Sequence, residues 1–186
     1  MEVERDVAES GGGVVPGRTV EPFFITGLPR SRTAWMAAFL TEGNVFCHHE
    51  FLNRCLTREA FYTGMRRNGC RIGNSDPGLV ITDFQSRFPA AKTLIIRRPR
   101  DDAFASIAAM FPPDIPVSRA AFESMADNID RLKGMQVGFS DLDSAMPDIC
   151  AYLDLPYNLE RHELFNSLNI QTQDLVLRHD IVKLWR

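Results

Sequence analysis

Seven consecutive residues, Gly27-Leu28-Pro29-Arg30-Ser31-Arg32-Thr33, place a glycine, a proline, two arginines and two hydroxyls directly after an apolar run. A strand that ends in glycine and turns into a helix aims main-chain N–H groups and a helix N-terminus at one point, which favours an anion. Arg30 adds a guanidinium, and Ser31 and Thr33 add hydroxyls for phosphate oxygens. The magnesium–triphosphate form of such a loop needs G-x-x-x-x-G-K-[ST]. Counted from Gly27, Arg32 stands at the second glycine, Thr33 at the lysine and Ala34 at the metal-binding hydroxyl. An anion site that works without a metal is the better fit. The competing reading is a surface turn with solvated arginines and with Trp35 in the core.

Two more groups carry chemistry. Arg97, Arg98 and Arg100 follow the apolar run Leu94-Ile95-Ile96, and Ser106 lies on the segment beyond. They read either as a second anion site or as a basic strand end paired with Asp101 and Asp102, a pairing worth little on a surface. Cys47-His48-His49-Glu50 offers two imidazoles and a carboxylate, suited to proton transfer. The alternative is a helix N-terminus at which Glu50 offsets the dipole. Adjacent side chains diverge, so this run makes a poor metal site. Asp76, in Asn74-Ser75-Asp76-Pro77-Gly78, is explained equally by turn chemistry and by contact with an acceptor. His162 and His179 receive no function.

The elements that would position these groups alternate. Pro22 to Thr26 is a short apolar run closed by Gly27 and Pro29, hence a buried strand. Ser31 to Thr41 predicts a helix with Trp35, Met36, Phe39 and Leu40 as its apolar stripe. Asn44 to Cys47 predicts a strand, Phe51 to Arg67 a helix, and Ala91 to Ile96 the clearest strand. Asp101 to Met110 predicts a helix opened by acidic residues. Phe111 to Pro116 must be a loop. A helix from Ser118 to about Lys133, a strand from Met135 to Phe139 and a helix from Leu142 to Leu153 complete the pattern. Strands alternating with helices imply a three-layer αβα domain on a mostly parallel sheet, whose ligands bind beyond the carboxyl ends of the strands. A flexible leader is expected over 1–20 and a single domain over 21–186.

The first loop resembles the phosphosulfate loop of the sulfotransferase family, P-[KR]-S-G-T-T-W, at Pro29, Arg30, Ser31, Thr33 and Trp35; Arg32 and Ala34 depart from it. Arg98 and Ser106, eight residues apart, resemble that family's 3′-phosphate motif. The proline spacing suits Arg97 instead, and Arg98 is preferred because its serine faces the same anion. Gln136 to Leu142 is similar to the "v-x-Y-E-D-L" strand and turn of bacterial members, and Ile149 to Pro156 to their "f-L-G-L-P" helix end. The resemblance implies a P-loop sulfotransferase-like fold and 3′-phosphoadenosine-5′-phosphosulfate (PAPS) as donor, with no metal. It implies that Gly27 to Trp35, with Arg98 and Ser106, bind that donor: Arg30 at the phosphosulfate bridge, Ser31 and Thr33 at the 5′-phosphate, Trp35 on adenine. Arg32 would keep its loop N–H, and Glu50, or else His49, would be the base that takes the proton of a small-molecule hydroxyl or amine. A small-molecule or nucleotide kinase using ATP, and a non-catalytic nucleotide-binding member of the fold, are the rival readings.

Composition narrows the classes further. A net charge of −3 argues against an unspecific nucleic-acid binder. The four cysteines, Cys47, Cys55, Cys70 and Cys150, lack metal-ligand or disulfide-scaffold spacing and read as reduced thiols of a cytoplasmic protein. No apolar run is long enough to cross a bilayer.

Overall fold

The computed structural model describes residues 20–66, 69–111 and 116–168. The expected leader, except for Val20, and His179 lie outside the described residues, as does most of the loop expected from Phe111 to Pro116.

Among the described residues five parallel strands form one sheet: β1 (Phe23–Gly27), β2 (Val45–His49), β3 (Arg71–Ser75), β4 (Lys92–Arg97) and β5 (Met135–Gly138), in the order β2-β3-β1-β4-β5. Seven α-helices accompany them among the described residues: α1 (Thr33–Leu40), α2 (Arg58–Gly64), α3 (Phe84–Arg87), α4 (Arg100–Ala108), α5 (Arg119–Asp130), α6 (Met146–Tyr152) and α7 (Leu159–Ser167). β1 is central, so all its side chains are buried; this is why it reads as an unbroken apolar run rather than an alternation. Phe23 and Ile25 pack with Leu94 and Ile96 against α1 and α6, while Phe24 packs with Phe61, Tyr62 and Phe84 of α2 and α3. Ile95 meets Ala103 of α4 and Phe122 of α5. Each fully buried side chain of this kind contributes about 1.5–3 kcal/mol. Two helical layers thus cover the sheet.

Several boundaries differ from the sequence expectation, each for a local reason. The predicted strand at Asn44 to Cys47 runs on through His48 and His49, because both pair with β3 in register His48↔Asn74 and His49↔Ser75. Asn74 and Ser75 accordingly belong to a strand and not to a turn. The helix predicted from Phe51 to Arg67 is split. A 3₁₀ turn at Phe51–Arg54 ends at the extended Cys55, and α2 starts afresh where the Thr57 hydroxyl accepts the Ala60 N–H at 3.1 Å. The segment from Leu142 begins as turns, and α6 forms only from Met146.

α7 lies outside the sequence expectation altogether. Asn158 caps its first turn by accepting the Arg161 N–H at 3.0 Å. Arg161 then donates to the carbonyls of Ala38, Phe39 and Thr41 at 2.8–2.9 Å. Ala38 and Phe39 are among the last acceptors of α1, which otherwise lack intrahelical partners, and Thr41 is the residue that caps it. α7 therefore closes the C-terminal end of α1.

Candidate functional site

The carboxyl ends of β1, β2 and β4, the N-terminus of α1 and the C-terminal end of α4 surround a cleft of about 680 Å³. That volume is in the range of small-ligand sites. Gly27 makes the close approach possible. It pairs with Ile96, and a Cβ at Gly27 would sit 2.6 Å from the Ile96 carbonyl oxygen. The loop then curls through positive φ at Arg30 (68°) and Arg32 (61°) before α1 begins at Thr33. A non-glycine residue in the left-handed region costs roughly 1–2 kcal/mol. The glycine in the resembled pattern at the position of Arg32 is what this backbone geometry favours.

Pro29, Arg30, Arg32, Thr33, Ala34 and Trp35 border the cleft. Gly27 and Ser31 do not. Ser31 is fully buried, and its hydroxyl has no hydrogen-bond partner among the described residues. Trp35 is only 3% exposed. Its ring stacks on Phe39 with centroids 5.1 Å apart, and its indole N–H donates to the Phe165 carbonyl at 3.2 Å. It is at once a core residue and an edge of the cleft.

The two arginine-bearing segments meet here. Arg98, just past β4, donates a guanidinium N–H to the main-chain carbonyl of Arg30, and its guanidinium carbon lies 4.6 Å from the Phe139 ring centroid. Arg30 Nε in turn donates to the Ser106 hydroxyl at 3.4 Å. Arg98, Arg30 and Ser106 thus share one cavity. Burial lowers the Arg98 pKa from the ordinary arginine value, Asp102 opposes the shift, and the like charge of Arg30 adds to it. Two guanidiniums that share one cavity supply charge and donors suited to an anion. Arg97 points elsewhere, to Gln136 at 3.1 Å and to Asp130. Of the two registers open in the sequence, only Arg98 reaches the cleft.

His49 and Glu50 border the same cleft. His49 Nδ1 lies 3.0 Å from the Ser75 carbonyl. A carbonyl only accepts, so Nδ1 carries the proton, and in the neutral ring Nε2 keeps its lone pair. Nε2 has no hydrogen-bond partner among the described residues and sits 3.6 Å from Glu50 Oε1. Glu50 holds a left-handed conformation (φ 51°), and its N–H donates to the Ser75 carbonyl at 3.2 Å. Phe51 N–H donates to Asn74 Oδ1 at 3.2 Å, and Asn53 Nδ2 to Glu50 Oε2 at 3.2 Å. The end of β3 therefore sets the direction in which Glu50 leaves the sheet.

Asp76 follows at the end of β3, 2% exposed. One oxygen accepts the Gly78 N–H at 2.7 Å; the other is buried without a partner among the described residues. Burial raises its pKa above the usual aspartate value; the Gly78 N–H opposes this, and Glu50 adds to it.

The sequence reading missed Asp143 and Asn166. Both border the cleft, and both hold Arg32: Nη1 donates to Asp143 Oδ1 at 2.7 Å and Nη2 to Asn166 Oδ1 at 3.0 Å. His162, left without a role, is buried beside them. Its Nδ1 lies 2.8 Å from the Tyr157 hydroxyl, and its Nε2 is 3.1 Å from Asn166 Nδ2. Among the described residues no three His, Cys, Asp or Glu side chains group to hold a metal ion, and no helix is long and apolar enough to cross a membrane.

A parallel α/β sheet with a glycine-ended loop leading into a helix defines a P-loop type of architecture. Within that class the chain has a sulfotransferase-like fold. It superposes on the crystal structure of mouse sulfotransferase SULT7A1 complexed with PAP with a TM-score of 0.56 and 14% identity, covering 80% of this chain and 63% of that one. The match thus spans less than two thirds of the mouse protein. A sulfotransferase from Alicyclobacillus acidocaldarius matches with a TM-score of 0.49 and 14% identity, covering 80% of this chain and 91% of that one. No protein-family model and no curated protein matches the sequence.

Proposed function

We propose that the chain is a cytoplasmic sulfotransferase that moves a sulfo group from PAPS to a hydroxyl or amine of a small molecule. The observation that carries this reading is the convergence of Arg30, Arg98 and Ser106 on one cleft that also holds His49 and Glu50. The donor set fits a doubly phosphorylated nucleotide: two arginines and a hydroxyl for anions, with no lysine of the triphosphate loop.

In sulfo transfer the bond between sulfur and the 5′-phosphate oxygen breaks as the acceptor oxygen or nitrogen bonds to sulfur. Negative charge grows on the departing phosphate, and Arg30 with the loop amides, including that of Arg32, stabilises it. Arg98 and Ser106 hold the 3′-phosphate, and Thr33 the 5′-phosphate. The acceptor proton passes to Glu50, whose carboxylate is the more exposed of the two bases, with His49 Nε2 beside it as the alternative. The aromatic and aliphatic side chains of Phe139, Ile107, Met110 and Phe111 supply an apolar wall.

Calorimetry with adenosine 3′,5′-bisphosphate in the presence of a chelator tests the donor site. Binding without magnesium, abolished in Arg30→Ala, is the expected result. Magnesium-dependent ATP binding, with none of the bisphosphate, would replace this reading by a phosphoryl-transfer enzyme.

A further inference from the structure

The two sides of the cleft differ in charge. On the β1 and β4 side stand Arg30 and Arg98. On the β2 and β3 side stand His49 and Glu50, with Asp76 buried directly before Pro77 of the wall. Two carboxyls and an imidazole on one side make a setting that draws a cation. His49 and Glu50 also face one another in a way that calls for a third group. The Ser75 carbonyl takes the Nδ1 proton of His49, so the neutral ring keeps a lone pair on Nε2, 3.6 Å from Glu50 Oε1. Both atoms accept, and neither supplies a hydrogen to the other. With His49 protonated, 3.6 Å still exceeds the length of a hydrogen bond. Nε2 has no hydrogen-bond partner among the described residues, and Asn53 holds the other Glu50 oxygen at 3.2 Å.

We infer that the acceptor is a primary amine on an apolar body, taken up as its ammonium, and that His49 and Glu50 act as two bases that remove its two protons in turn. The inference rests on the donor-nucleotide reading above and narrows its acceptor. An alcohol loses one proton on becoming a sulfate ester, whereas an ammonium loses two on becoming a sulfamate. On arrival the ammonium donates one N–H to His49 Nε2 and one to Glu50 Oε1. Two hydrogen bonds of ~2.9 Å to one tetrahedral nitrogen hold their acceptors about 4.7 Å apart, so Oε1 moves outward by roughly 1 Å. The Glu50 side chain, 42% exposed, has solvent to move into. His49 takes the first proton, since an imidazole is a stronger base than a carboxylate, and the Glu50 carboxylate stabilises the imidazolium. The freed lone pair bonds to sulfur while the bond from sulfur to the 5′-phosphate oxygen breaks, its electrons leaving on the phosphate. The charged nitrogen then gives its second proton to Glu50, and both bases return their protons to water. A hydroxyl has a single hydrogen and leaves one of the two acceptors against its own lone pairs. Pro77, Ile107 and the exposed Met110 and Phe111 supply apolar contact for the body.

Two probes with the same body, 2-phenylethylamine and 2-phenylethanol, test this on the full chain. Sulfamate and sulfate ester formed from PAPS are counted by mass spectrometry, and calorimetry follows each probe onto the complex with adenosine 3′,5′-bisphosphate. The wild type is expected to prefer the amine by roughly tenfold or more in both kcat/KM and affinity, the worth of about one hydrogen bond to a charged group. His49→Gln, shown to be folded by its thermal melt, is expected to lower kcat/KM for the amine by about 10²-fold and for the alcohol by less than about threefold. An alcohol used as well as the amine by the wild type overturns the inference, and that comparison needs no variant. An equal loss for both probes in His49→Gln overturns the two-base division. Bisphosphate binding that depends on Arg30, with neither probe sulfated, overturns the acceptor class and leaves the donor site standing. If the bisphosphate does not bind, the acceptor and the donor readings fall together.

Discussion

The guanidinium of Arg98 hydrogen-bonds the main-chain oxygen of Arg30, so the residue that ends one side of the cleft fixes the loop that forms the other. This single contact spans 68 positions in sequence and joins the ends of β1 and β4, which are neighbours in the sheet. It also sets two like charges side by side, an arrangement that a bound anion relieves.

Arg98→Ala removes both the cation and the brace on the loop. Affinity for adenosine 3′,5′-bisphosphate is expected to fall about 30-fold or more, as for the loss of a hydrogen bond to a charged group. Arg97→Ala, whose side chain serves Gln136 and Asp130, is expected to stay within about twofold of the wild type. Isothermal calorimetry on the two variants decides between them.

Glu50→Gln keeps the shape and the Asn53 contact but cannot take a proton. Turnover of PAPS with a panel of phenol, alcohol and amine acceptors is expected to fall by about 10²-fold or more, with bisphosphate affinity unchanged. If His49→Gln produces the loss and Glu50→Gln does not, the imidazole is the base.

Asp76 carries a pH signature. Its carboxyl is held above the usual aspartate value by burial, so the native state holds the proton more tightly than the unfolded chain. The stabilising contribution is present in full below the unfolded value and is lost as pH rises through the folded one. Asp76→Asn retains an acceptor for the Gly78 N–H and removes the buried charge. Its melting temperature is expected to exceed that of the wild type at about pH 7, with the gain shrinking toward about pH 4. Circular dichroism melts at the two values check this; equal gains at both would refute it.

Arg32→Gly replaces a left-handed arginine by the residue that adopts φ 61° freely. The backbone gain of about 1–2 kcal/mol outweighs an exposed ion pair of about 0–1 kcal/mol. Urea unfolding is expected to show a variant that is unchanged or up to about 1 kcal/mol more stable than the wild type. A loss of more than that would mean that the Asp143 and Asn166 contacts brace the whole fold.

The parts of the molecule legible in the sequence are those fixed by a continuous apolar run and the punctuation after it. β1 and β4 stand out because both faces of each strand are buried, and the glycine that ends β1 marks the loop because nothing larger fits beside Ile96. His49 was legible as a candidate base, although its place in a strand was not, since two histidines carry no strand signal and only pairing with β3 extends β2 so far. Asp143 and Asn166 gave no sign at all. Exposed polar residues on a turn and on a late helix become part of the cleft only through tertiary packing, which periodicity does not record. In the sequence Arg98 is preferred over Arg97 for its spacing to Ser106; that only one of the two borders the cleft follows from the side chains of successive residues at a strand end pointing in opposite directions.

The walls of the cleft come from Pro29 at one extreme of the described chain and from Asn166 near the other. No short fragment of the protein contains them, so a ligand of this cavity has affinity for the complete native state and little for partly folded ones. Occupancy consequently acts on the molecule as a global stabiliser: at a free concentration one hundred times its dissociation constant, a ligand adds about 2.7 kcal/mol to unfolding. A thermal-shift screen of candidate acceptors and nucleotides therefore reads out this cavity without any assay for the reaction.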